Sequence, residues 1–95
     1  MTHELKILPG YFSDIMFDNK NFEIRKNDRD YHVGDKLILK EWKPDQHIYT
    51  GNEITATVNY IHYGNGDFGL AEGYCVMGLT EIECTLGKFV GGKAE

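Results

Sequence analysis

The sequence predicts a small α+β domain: a mostly antiparallel β-barrel with one N-terminal helix, in the order β-α-β-β-β-β. Three observations carry this. The chain opens on a short stretch of period two, a proline-led stretch of helical spacing follows at once, and from residue 21 onward the readable periodicity is again two. One early helix and five short strands bury most apolar surface when the sheet curls and the helix packs at one end.

In residues 3–8, Leu5 and Ile7 alternate with Glu4 and Lys6, as in a half-buried strand. Pro9 suits the first turn of a helix, and Tyr11, Phe12, Ile15 and Met16 recur at helical spacing up to the Asp18-Asn19 break, giving about three turns. From Asn21, Phe22 and Ile24 form an apolar face and Glu23 and Arg25 a charged one. A polar run, 26–32, closes on Val33-Gly34-Asp35, where Gly34 supplies the positive φ of a turn before Leu37-Ile38-Leu39. Residues 43–52 contain Pro44 and a Gly51-Asn52 turn signal and are expected to form a mobile excursion between strands. Ile54, Ala56, Val58 and Tyr60 then alternate with polar residues in the clearest strand of the chain. Residues 63–69 are glycine-rich and read as a hairpin tip, and 74–79 are apolar enough for a central strand. The domain is expected to span residues 1–85, with 86–95 a flexible tail.

Ninety-five residues suit one core, and 41% hydrophobic against 26% charged residues lies in the globular range. The absence of a long apolar run or a leader-like N-terminus makes the cytoplasm the expected compartment. Cys75 and Cys84 do not make a disulfide framework, and Cys75 is expected to be buried in its strand. A net charge of −5 disfavours indiscriminate binding to polyphosphates, so any nucleic-acid contact has to be local. His3, His32, His47 and His62 lack the spacing of metal-ligand pairs; neither metal nor cofactor is expected.

Residues with chemical potential concentrate in Lys20-Asn-Phe-Glu23-Ile-Arg25-Lys-Asn-Asp28-Arg29. On a strand, Glu23 and Arg25 share a face, with Lys20 just before them and Asp28 and Arg29 in the following loop. A guanidinium grips phosphate or a base edge through paired hydrogen bonds, a carboxylate accepts from a ligand amino group, and a desolvated lysine can serve as base or nucleophile. The structural alternative is a solvated strand face laced by ion pairs, each worth below about 1 kcal/mol.

The run Asp18-Asn-Lys20-Asn-Phe-Glu23-Ile-Arg25 resembles the Gly-x-Lys-x-x-Glu-x-Arg signature of ASCH domains, a branch of the PUA-like barrels, with Asp18 where the family usually has glycine. From His3 to about Leu79, including Tyr49-Thr-Gly51…Ile54 and Gly73-Tyr74…Gly78, the chain looks like short bacterial and phage proteins that begin His-Glu-Leu-Lys-Ile-Leu-Pro and are grouped as a domain of unknown function. The resemblance implies binding of RNA or a nucleotide in the cleft between helix and barrel, with Lys20, Glu23, Arg25 and Arg29 as ligand contacts. Some small relatives are amidohydrolases acting on acetylated cytidine through a lysine, a threonine three residues later and a distant glutamate. Lys20 matches that lysine, Glu23 takes the threonine position, and Glu72, Glu81 and Glu83 are the candidates for the distant carboxylate.

Three functions are therefore carried forward. The first is an RNA- or nucleotide-binding module using Lys20, Glu23, Arg25, Asp28 and Arg29, in which charge reversal at Arg25 weakens binding without unfolding the domain. The second is an amidohydrolase for an acylated nucleoside, with Lys20 reactive and Glu23 assisting proton transfer. The third is a phage or bacterial protein-interaction domain, with which the acidic balance is compatible. Trp42, Tyr63 and Phe68 are candidates for base stacking.

Overall fold

A computed structural model describes residues 1–87. The described chain forms β1 (Thr2–Ile7), α1 (Pro9–Met16), β2 (Phe22–Lys26), β3 (Lys36–Lys43), β4 (Ile48–Tyr63), a short 3-10 turn (Asp67–Gly69) and β5 (Tyr74–Thr85). This is a mixed α+β domain with the predicted element order. Its five strands make one curled, half-barrel sheet ordered β1-β3-β4-β5-β2. Three pairings are antiparallel, while β1 pairs with β3 in parallel, Leu5 opposite Leu39. The chain between them, carrying α1 and β2, makes the crossover that a parallel pair requires.

Inward positions alternate as the strand period demands: Leu5 and Ile7, Leu37 and Leu39, Ile54, Ala56 and Val58, and Cys75, Met77 and Leu79 are buried, and α1 lays Phe12 and Ile15 on them. Tyr31 also belongs to this core, although it lies in the run read as polar loop. Its ring meets His3 edge-on, its N–H donates to Asn27, and its carbonyl accepts from the Tyr63 hydroxyl at 2.8 Å. Burial pushes the Tyr31 phenol above its ordinary pKa, against the pull of Arg25 and Arg29.

Four expectations are corrected. The helix has eight residues, about two turns rather than three, because the chain leaves helical geometry at Phe17. Residues 43–52 are no long excursion: Lys43 pairs with Ile48 and Trp42 with Tyr49, so a tight turn suffices and β4 begins six residues earlier than its periodicity suggests. The alternation in β4 breaks at a bulge between Val58 and Tyr60, which leaves Tyr60 exposed where period two would bury it. Likewise β5 continues to Thr85 past a second irregularity at the positive-φ residue Glu81. The central position of β5 and the left-handed Gly34 agree with the sequence. Of the expected tail, Leu86 is exposed and the Gly87 N–H donates to Asn52; residues 88–95 lie outside the described part.

Candidate ligand-binding groove

The charged stretch around β2 is placed by a precise helix ending. The Asp18 N–H donates to Ile15 O and the Asn19 N–H to Asp14 O, closing α1 with a reciprocal pair of bonds around Asp18 in the left-handed region, φ 64°. Aspartate is among the few side chains that tolerate this conformation. The junction thus turns at Asp18 as a glycine would make it turn, and Lys20, whose N–H also reaches Asp14 O, is aimed across β2.

Strand β2 is turned opposite to the simplest reading of its pattern. Ile24 and Phe22 are 53% and 38% exposed, whereas Glu23 is only 3% exposed. The charged face looks into the domain because β2 pairs along one edge only, with β5, and its other side meets the end of β1 and the helix junction, where polar partners wait. A buried carboxylate without partners would be costly. Glu23 has two: Lys20 Nζ donates to Oε1 at 2.5 Å, and Arg25 donates to Oε2 through Nε at 2.9 Å. The solvated, lightly paired strand face weighed from composition is not what forms.

Arg25 extends the network. Its Nη2 donates to Lys6 O at 2.8 Å, and Arg29 Nη1 donates to Glu4 O at 3.2 Å. Lys6 and Glu4 are two apart on β1, the opposite edge of the sheet, so two guanidiniums bridge the seam that the half-barrel leaves open.

Over this seam lies a groove of about 690 Å³ lined by residues 6–8 at the end of β1, Tyr11 and Asp14 of α1, Asn19 and Lys20 of the junction, and residues 22–25 of β2. The Lys20 ammonium sits 4.7 Å from the centre of the Tyr11 ring and 5.4 Å from that of Phe22. A smaller recess of about 380 Å³, lined by Glu4, Leu5, Lys6, Arg29, Lys40 and Tyr49, adjoins it through Lys6. Together the two hollows carry Lys6, Lys20, Arg25, Arg29 and Lys40 against Glu4, Asp14 and Glu23, a local cationic excess on a chain of net charge −5.

Of the residues singled out from sequence, Lys20, Glu23 and Arg25 come together in the groove and Arg29 lines the neighbouring recess. Asp28 is exposed and lines neither. Glu72, Glu81 and Glu83 also lie outside both hollows, and Glu81 accepts from the Thr57 hydroxyl between the paired strands β4 and β5. The groove carboxylate that sequence reasoning missed is Asp14. Tyr11 and Asp14 stand three apart on α1 and so share a face, a spacing that could have revealed both. Lys6 was missed because a single lysine on the polar side of a strand looks like any solvated one. Among the stacking candidates, Trp42 lies under the Lys6 ammonium at 4.0 Å, Tyr63 is tied to Tyr31, and Phe68 stands clear of both hollows against His62. Among the described residues no three His, Cys, Asp or Glu side chains are grouped to hold a metal, and no helix is long and apolar enough to cross a membrane.

Residues 2–79 match the family described as a domain of unknown function (DUF3850). The chain is also 41% identical over 59 residues to an "Uncharacterized 12.9 kDa protein in GpA 3'region" of Escherichia phage P2. That alignment covers 62% of this chain and 52% of the phage protein, so the chain spans about half the length of the curated relative it matches.

Proposed function

The chain belongs to the DUF3850 family, and from the chemistry of its groove we propose that it is a binding module for RNA or a nucleotide-like ligand, built on an ASCH-type, PUA-like half-barrel. The observation that carries this reading is the buried Glu23 carboxylate held between Lys20 and Arg25 at the base of a groove flanked by the rings of Tyr11 and Phe22. Both carboxylate oxygens already accept from these cations, so Glu23 fixes their positions, and the donors that remain on Lys20, Arg25 and Lys6 face the ligand. Carbonyl oxygens of a base or oxygens of a phosphate suit such donors, and a flat ring suits the aromatic wall. A groove of about 690 Å³ lies in the range that encloses a ligand of nucleotide size.

An amide NMR titration with nucleosides, nucleotides and short single-stranded RNA at two salt concentrations tests it. Shifts are expected at Lys6, Tyr11 and residues 20–25; silence across the panel overturns the reading and moves weight to a protein partner. The hydrolytic alternative keeps one specific support, the presence of Asp14 in the same groove as Lys20. It requires turnover of an acylated cytidine that is lost in Lys20→Ala.

A further inference from the structure

Groove and recess share Lys6 in their linings, and their contents repeat. In the groove, the Lys20 ammonium lies beside the rings of Tyr11 and Phe22, and Arg25 lines the same groove. In the recess, Arg29 and Lys40 lie beside Tyr49, whose ring is 5.5 Å from the Lys40 ammonium and packs edge-on against Trp42 at 4.8 Å. Lys6 lines both hollows, its ammonium 4.0 Å over Trp42 and 6.0 Å from the centre of Tyr49. The seam bonds lock this order along one strand: Arg25 on Lys6 O and Arg29 on Glu4 O are two residues apart on β1, a rise of about 7 Å.

We propose that the recess is a second subsite and that the natural ligand is a single-stranded oligonucleotide of at least two units, its second base against Tyr49 and the linking phosphate met by Lys6. An alternating series of rings and cations is the complement of a polymer that alternates flat bases with phosphates. Neither a free nucleotide nor an acidic peptide supplies that alternation. Tyr49 is nearly half exposed, so its ring has a free surface on which to stack. Arg29 donates to Glu4 O through Nη1, leaving other guanidinium N–H groups for an anion. The inference rests on the nucleotide reading of the first groove and adds the ligand's minimum length.

The test compares uridine and adenosine 5′-monophosphates with the corresponding 5′-phosphorylated dinucleotides on the full chain. Trp42 is the sole tryptophan and packs edge-on against Tyr49 of the recess, so its fluorescence responds to changes at that ring. The dinucleotide is expected to bind at least tenfold more tightly, to show a steeper salt dependence, and to shift the Tyr49 amide and ring resonances where the mononucleotide does not, with a larger change in Trp42 fluorescence. Tyr49→Ala and Lys40→Ala should each remove most of the dinucleotide's advantage while leaving mononucleotide affinity unchanged. Two substitutions on different strands guard against one that disturbs folding. Equal affinity for mono- and dinucleotide, with both variants silent, overturns the second subsite and leaves the groove reading intact. No binding of either ligand overturns both.

Discussion

Arg25 and Lys6 lie on the two unpaired edges of the sheet, and the guanidinium of the first donates to the carbonyl oxygen of the second at 2.8 Å. The same guanidinium neutralises the buried Glu23. A residue that from sequence alone looked like a ligand contact is therefore also a fastening of the fold.

Arg25→Ala should cost about 2 kcal/mol in urea unfolding, because it removes one seam bond and leaves Glu23 with a single partner. Arg25→Glu should cost more, since it sets a second carboxylate beside a buried one. The expectation that charge reversal here weakens binding and spares the fold is thus revised. Lys20→Ala also leaves Glu23 with a single partner but removes no seam bond, so it is the less disruptive probe of binding. Equal stability of Arg25→Ala and the parent would show that the bridge contributes nothing.

Asp18→Gly should stabilise the domain by about 0.5–1 kcal/mol, because its φ of 64° is costly for a side-chain-bearing residue and free for glycine. Asp18→Val should destabilise it by more than that, a β-branched side chain being least at home there. Thermal melts of the two variants, expected to move in opposite directions, check the helix ending.

Stability should fall on acidification from about pH 4 toward pH 2. Burial opposes ionisation of Asp35, but hydrogen bonds from His3, the His32 N–H and the N-terminal amine outweigh it and hold the carboxyl at about 2, against an ordinary 3.8. Because the folded state takes up its proton later than the unfolded chain, the contribution, about 2 kcal/mol, is complete above the unfolded pKa and lost as pH falls through the folded one. Urea unfolding of Asp35→Asn across this window should lack that slope.

Gly64→Ala should be among the most damaging single-methyl additions. A Cβ built at Gly64 would stand 2.2 Å from Ala71 O and 3.0 Å from Tyr74 O, both backbone atoms that cannot swing aside. A loss above about 2 kcal/mol is expected, against little change for Gly10→Ala, where the added carbon meets nothing within 4 Å. Paired denaturation curves of the two variants decide it.

Periodicity over short range was enough to read the element order, the inward faces of β1 and of β4 from Ile54 to Val58, the turn at Gly34 and the gathering of Lys20, Glu23 and Arg25, because these depend on residues two to five apart. What depends on partners distant in sequence was not legible. Nothing local says that β1 lies parallel to β3, that Tyr31 is core, or that Trp42 pairs with Tyr49 to shorten a loop. The facing of β2 is the sharpest case. Its alternation of apolar and charged residues specifies a strand but is symmetric as to which face turns inward. Only the assembled domain, by setting Lys20, Arg25 and the β1 carbonyls around one side of an edge strand, supplies the hydrogen bonds that let Glu23 be buried there in place of Ile24.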